Sequence, residues 1–410
     1  MLTRRIIAPI MASQAHCGFA VDCMDASKRA FLKSAATIIM GRIAPSLLVA
    51  SPGVARSRPD RRLIVVITGG MRRQETFSAR GKVNIPHLSD NLLPHSLFYS
   101  RVRNDGVTSH FNAISSILTG NWQRVDDWGN NPPKSPTLFE YVRRQTGLAG
   151  DEVWMVASNK ALTDRIGASS AGTYGAPFGA NVVFPKALLL TAVEEAIQKG
   201  HQGNLGDRDK AEAEIESVIQ GSDYEGLGWN VFGEAHQLDR GVEAPVKNAI
   251  DRFVHTNAPA TGDQLTFFVA VEVMRRFAPS LLVVNFSDVE AAHFGSYSMH
   301  LGGIRNTDRL IDELWQEASA NTEYRDRTLM VIIPEFGRDP DGSNTNGFFN
   351  HRSNDDACRL IWMMCLGSPI ARPRIVDRPV RQVDLCPSLA RWLGCQATES
   401  TGGVLDEIVA

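Results

Sequence analysis

The 410-residue chain is 43% hydrophobic and 21% charged, with 43 basic against 45 acidic side chains and a formal net charge of −2. That composition excludes extended disorder, collagen-like sequence and low complexity. The balanced charge leaves no general field for nucleic acid or an anionic membrane, so neither is an expected partner.

Ser27-Lys28-Arg29-Ala30-Phe31-Leu32-Lys33 leads into the apolar stretches 34–40 and 47–50, with a small-residue exit at Gly53-Val54-Ala55. A basic start, an apolar run and such an exit are the parts of a secretory signal. The basic pair before Phe-Leu-Lys resembles a twin-arginine signal with lysine in first place. Arg42 breaks the run, which is too short for a stable membrane span. Residues 1–57 are therefore expected to be export signal and linker, and the mature protein periplasmic. The alternative is an amphipathic N-terminal helix of a cytosolic protein, and Met24 is a second candidate start.

Five runs rich in β-branched residues follow, at 63–68, 153–157, 281–286, 329–333 and 361–366. Their near-continuous hydrophobicity predicts strands buried on both faces of a parallel sheet. Helical periods lie between them: 137–144, opened by Ser135-Pro136 as N-cap and N1, then 261–277, 301–318 and 384–393. This alternation predicts a doubly wound α/β sandwich over 58–410 with its chemistry at the carboxyl ends of the strands. About 185–262 the pattern changes to charged amphipathic helices at 188–199 and 210–220, an expected helical insertion capping one end of the sheet. Cys17 and Cys23 fall in the expected signal. Cys358, Cys365, Cys386 and Cys395 form no C-x-x-C pair and are expected to be core thiols, with one disulfide among them left open.

Candidate chemistry follows the predicted strands. Asp288 and His293 emerge together after the third run, and Glu335, Arg338 and His351 after the fourth. Thr108, Ser109 and His110 open a further helix. Carboxylates and imidazoles in that mixture suit zinc or a similar divalent ion, and hydroxyls at a helix N-terminus suit a bound phosphate or an attacking oxygen. Singly, each has a plainer reading as cap, ion pair or hydrogen-bonded structural residue. His87, His95, His201, His236, His255 and His300 are expected to be solvated or structural, His87 being the foremost exception. No G-x-S-x-G, Walker-type, H-E-x-x-H or dinucleotide-binding motif is present.

Asp288…His293-Phe294-Gly295 resembles the metal motif of the alkaline phosphatase-like superfamily, and 383–394 resembles the tail helix of sulfatases and related hydrolases. Residues 328–338 with His351, together with His110-Phe111-Asn112-Ala113, resemble the DUF1501 branch. The resemblance covers roughly 61–394. It implies a three-layer α/β/α sandwich with a mainly parallel sheet, two divalent metals, and cleavage of phosphate or sulfate esters through a Ser or Thr nucleophile. Carried over by position, Asp288, His293 and His351 match the ligands of one metal, and Glu335 stands where the family has the Asp of an Asp-His pair. Phe336 replaces that His. The first strand ends Thr68-Gly69-Gly70 where the superfamily has a metal-binding Asp. Thr108 and Ser109 lie near the nucleophile position, with which His110 aligns more directly. The modified-cysteine motif of sulfatases is absent, since Cys386-Pro387-Ser388 lacks its spacing.

The expected protein is an exported metal-dependent hydrolase of a small phosphoester or related anionic ester. Asp288, His293 and His351 would hold zinc, with Mn, Mg or Ca as alternatives, and Glu335 a second ion. Arg338 or Arg72 would grip the anion, and Thr108 or Ser109 would attack unless a water does. The competing readings are a catalytically degenerate metal-binding or scaffold protein of the same fold and a cytosolic phosphomutase of the superfamily.

Overall fold

The computed structural model describes residues 60–125, 131–188, 245–246, 248–249, 252, 261–342, 347–368, 370 and 372–409. The expected export segment 1–57 lies outside the described residues, as does nearly all of the expected insertion with its helices at 188–199 and 210–220. Among the described residues no helix is long and apolar enough to cross a membrane.

Among the described residues nine strands form one sheet: β1 (Arg62–Thr68), β2 (Leu97–Arg103), β3 (Val153–Ala157), β4 (Asn181–Val183), β5 (Leu281–Phe286), β6 (Thr328–Pro334), β7 (Leu360–Gly367), β8 (Arg374–Val376) and β9 (Val380–Arg381). Their order is β4-β3-β5-β1-β6-β7-β2-β8, with β9 also on β2. β1 sits between β5 and β6, its Leu63 level with Leu281 on one side and Leu329 on the other. Both pairings are parallel, and β7 alone runs against its neighbours β6 and β2. The described residues between β6 and β7 do not cross back over the sheet, as a parallel connection would require. It stays on the rim where β6 ends, which is why it can carry site residues.

Every residue of β1 is buried because the sheet is covered on both sides. Leu63, Val65 and Ile67 face α1 (His110–Thr119), α2 (Leu138–Thr146) and α5 (Leu385–Trp392). Ile64 and Val66 face α3 (Gly262–Phe277) and α4 (Tyr297–Ala320). This is a three-layer α/β/α sandwich, as expected, and the five continuous apolar runs are its five inner strands. The four strands without a strong sequence signal are peripheral. β2 is interrupted by Ser100, Arg101 and Arg103, and β4, β8 and β9 are two or three residues long, so pairing rather than burial defines them. The four described cysteines are buried free thiols with no disulfide among them, and burial pushes Cys358 and Cys395 up to about 12.

Ile64 is fully buried in the central strand. Ile64→Ala is expected to lose about 2–5 kcal/mol of stability through lost transfer energy and a residual cavity, measured by urea unfolding.

Candidate metal centre

β1, β2, β5 and β6 end on one rim, and β7 begins there. The segment after β5, Asp288–Phe294, is a 3₁₀ turn closed by Gly295 in the left-handed conformation (φ +75°). With three residues per turn, side chains at i and i+3 eclipse. Glu290 and His293 therefore share a face, and Asp288 does not.

Glu290, His293, His110 and His351 converge, each offering one ligand atom, with those atoms all within 4.8 Å of one another. Glu290 Oε2 lies 3.2 Å from His110 Nε2 and 3.2 Å from His293 Nε2. His293 Nε2 lies 3.1 Å from His351 Nε2. Ligands about 2.0–2.1 Å from a tetrahedral zinc stand about 3.3 Å apart, so these spacings are close to the edges of such a tetrahedron. The donor set, nitrogen with one carboxylate oxygen, suits zinc or a similar divalent ion. The residues fit a metal.

Each ligand is held from behind. His351 Nδ1 donates to the Thr108 carbonyl at 2.7 Å, which leaves Nε2 as the lone-pair nitrogen. Burial, followed by the charges of His110 and Arg338, keeps this imidazole well below its usual pKa and hence neutral. Phe336, standing where a ligand was expected by resemblance, stacks on the His351 ring at 4.2 Å and 18°. His110, the first residue of α1, turns Nδ1 toward both oxygens of Glu335, at 3.2 and 3.0 Å. Glu335 thus lies behind His110, outside the cluster. Its own backbone is fixed by Thr68, Asn104 and Gln382.

Glu290 occupies the space the first strand leaves bare. A Cβ on Gly69 would lie 2.4 Å from Glu290 Oε1, and that oxygen accepts the Gly70 N–H at 2.7 Å. Oε2 accepts Arg338 Nη2 at 2.5 Å. Burial opposes the carboxylate's charge, but Arg338 and then His110 outweigh it and hold Glu290 well below the usual carboxylate range.

The remaining predicted residues are placed as follows. Asp288 is half-buried and turned away from the imidazoles, accepting from the Asp263 N–H (3.3 Å) and Asn306 Nδ2 (3.0 Å). Burial raises its pKa, and burial together with Asp288 raises that of Asp263. Thr108 reaches the site through its carbonyl. Ser109 is the N-cap of α1, but its hydroxyl makes no capping bond and accepts from Asn112 Nδ2 at 2.8 Å. Arg338 is fully buried, and Arg72 is tied to Glu75 and Asp341, so neither guanidinium faces solvent where an anion would arrive. His87 pairs with Asp308 at 2.7 Å, outside the cluster. Sequence reasoning passed over Glu290, although it stands inside the quoted motif. The signal for it was the glycine pair 69–70, whose missing side chains leave room for a carboxylate from the turn after β5.

No family model and no curated relative matches the sequence. Among solved structures the chain is similar to the alkaline phosphatase PafA, with a TM-score of 0.55 at 11% identity, covering 87% of this chain and 100% of that one. It is also similar to the phosphonate monoester hydrolase SpPMH from Silicibacter pomeroyi (0.54, 14%, covering 85% and 76%). The phosphonate monoester hydrolase of Agrobacterium radiobacter gives 0.50 at 14%, covering 86% and 77%. At these identities the likeness is one of fold. The chain has the alkaline phosphatase-like α/β fold.

Two outcomes follow from this geometry. Gly69→Ala forces Glu290 off the Gly70 amide and is expected to weaken zinc binding about 10–100-fold, read by competition with a chromogenic chelator. The second concerns His300, which lies behind the 3₁₀ turn. Its Nδ1 donates to the Val289 carbonyl at 2.9 Å, its Nε2 is buried without a partner, and burial brings its pKa down to about 3 from 6.5. The folded state then binds fewer protons than the unfolded one below pH 6.5, so stability is full above that pH and falls with acid. The loss should reach about 2 kcal/mol by pH 5. His300→Gln should remove that part of the slope in urea titrations of the metal-free protein.

Proposed function

We propose that this chain is an exported, metal-dependent hydrolase of the DUF1501 branch of the alkaline phosphatase superfamily, cleaving a small phosphoester or related anionic ester in the periplasm. The observation that carries the reading is the convergence of Glu290, His293, His110 and His351 at the carboxyl edge of the sheet. Zinc suits the three imidazoles best, with Mn, Mg and Ca as weaker candidates. A divalent ion bound there supplies Lewis-acid polarisation of an ester oxygen.

The protein's own groups do the rest. His351 and His110 are held as oriented ligands by the Thr108 carbonyl and the Glu335 carboxylate. Glu290 stays ionised through Arg338 and the Gly70 amide, so the site keeps a negative ligand at any ordinary pH. Ser109 or Thr108, at the start of α1, supplies the attacking hydroxyl, and Asn112 fixes the Ser109 oxygen. His293, the most exposed of the cluster at 17%, marks the side from which substrate enters.

A panel of phosphomonoesters, phosphodiesters, phosphonate esters and sulfate esters should reveal turnover with supplied Zn or Mn. Glu290→Gln is expected to lower kcat/KM at least a hundredfold with loss of bound metal. Ser109→Ala or Thr108→Ala, whichever removes the nucleophile, should abolish turnover while metal content stays unchanged. Absence of turnover across the whole panel by a fully metal-loaded protein would favour the binding or scaffold reading, for which the absence of solvent-facing guanidinium from Arg338 and Arg72 speaks.

A further inference from the structure

We propose that this centre takes one divalent ion per chain and that the buried guanidinium of Arg338 fills the place of a second cation. The inference rests on the metal-centre reading above and concerns how many ions it holds.

The donor atoms come first. Among the described residues the cluster offers three imidazole nitrogens and one carboxylate, a complete set for one tetrahedral ion. A second ion would need further anionic ligands, and three carboxylates near the rim are committed elsewhere. Both oxygens of Glu335 face His110 Nδ1, and Asp288 is turned toward Asp263 and Asn306. Glu75 is held by Arg72. The end of β1 cannot contribute one, because any side chain at Gly69 would collide with Glu290 and Val289, and any at Gly70 with Phe336.

The second argument is charge. Arg338 is fully buried and directs Nη2 at Glu290 Oε2 (2.5 Å), Nε at the Gly70 carbonyl (2.9 Å) and Nη1 at the Phe348 carbonyl (3.3 Å). A carboxylate oxygen and two carbonyls, each on a different nitrogen of the guanidinium, are the donor types that a hard cation takes. Here a fixed, positively charged guanidinium sits among them. With Glu290 and Glu335 counted as carboxylates, Arg338 as a guanidinium and the three imidazoles as neutral ligands, one divalent ion leaves the site one unit positive. A second would place three units of excess positive charge in a buried space, where repulsion is poorly screened.

The test is metal counting on the purified full chain. Wild type dialysed against excess Zn²⁺, or against Mn²⁺, should hold one ion by elemental analysis. Arg338→Ala frees those three oxygens and should take up a second ion in excess Mn²⁺, seen as a rise from one to two per chain. Arg338→Lys keeps the charge and should stay at one. Two ions or none in wild type overturns the proposal, and so does a folded Arg338→Ala protein that still holds one. Should Arg338→Ala fail to fold, the wild-type count decides alone. Two ions with ester turnover would sink this inference and leave the hydrolase standing. One ion without turnover would do the reverse.

Discussion

A single buried carboxylate ties the rim of this sheet together. Glu290 reaches from the turn after β5 across the bare backbone of β1, where it takes the Gly70 amide, and meets Arg338 from beyond β6. An ionised carboxylate without partners would cost several kcal/mol in such a place. The guanidinium is thus required, and it in turn needs the carbonyls of Gly70 and Phe348. The loop that brings His351 to the site is anchored through the same arginine. Three neighbouring strands and the segment leading into β7 are locked by this one charge pair and its hydrogen bonds.

Around that pair the imidazoles are oriented by groups that do not themselves approach the cluster. The Thr108 carbonyl sets the tautomer of His351, Glu335 sets that of His110, and Phe336 limits the tilt of the His351 ring. Such outer partners fix ligand geometry before any ion arrives and raise ligand basicity. The consequence is a site whose order belongs to the protein: three of the ligand spacings, at 3.1–3.2 Å, are already near the edge of a tetrahedron.

The fold alone would not define a reaction, since one architecture hosts many chemistries. What narrows the choice is the combination at the rim. Three imidazoles and one carboxylate held ionised by Arg338 meet where an α/β sheet presents its chemistry. The arginines, which by sequence were the anion-gripping groups, are instead internal counter-charges.

The strands of the core were legible in the chain because burial on both faces leaves an unbroken apolar run, and the flanking helices because one apolar stripe repeats every three to four residues. His110, His293, His351, Glu335 and Arg338 could be picked out because each follows a strand or opens a helix on one rim. Their division of labour could not. Whether 288 or 290 faces the imidazoles depends on the tight three-residue period of a single turn, and spacing along the chain does not reveal that period. The role of Glu335 depends on which ring nitrogen it meets across 225 residues of separation. The vacancy over Gly69 acquires meaning only once β5 lies beside β1. Local sequence determines what each segment buries, whereas the direction of a polar side chain is decided by the neighbours that tertiary packing supplies.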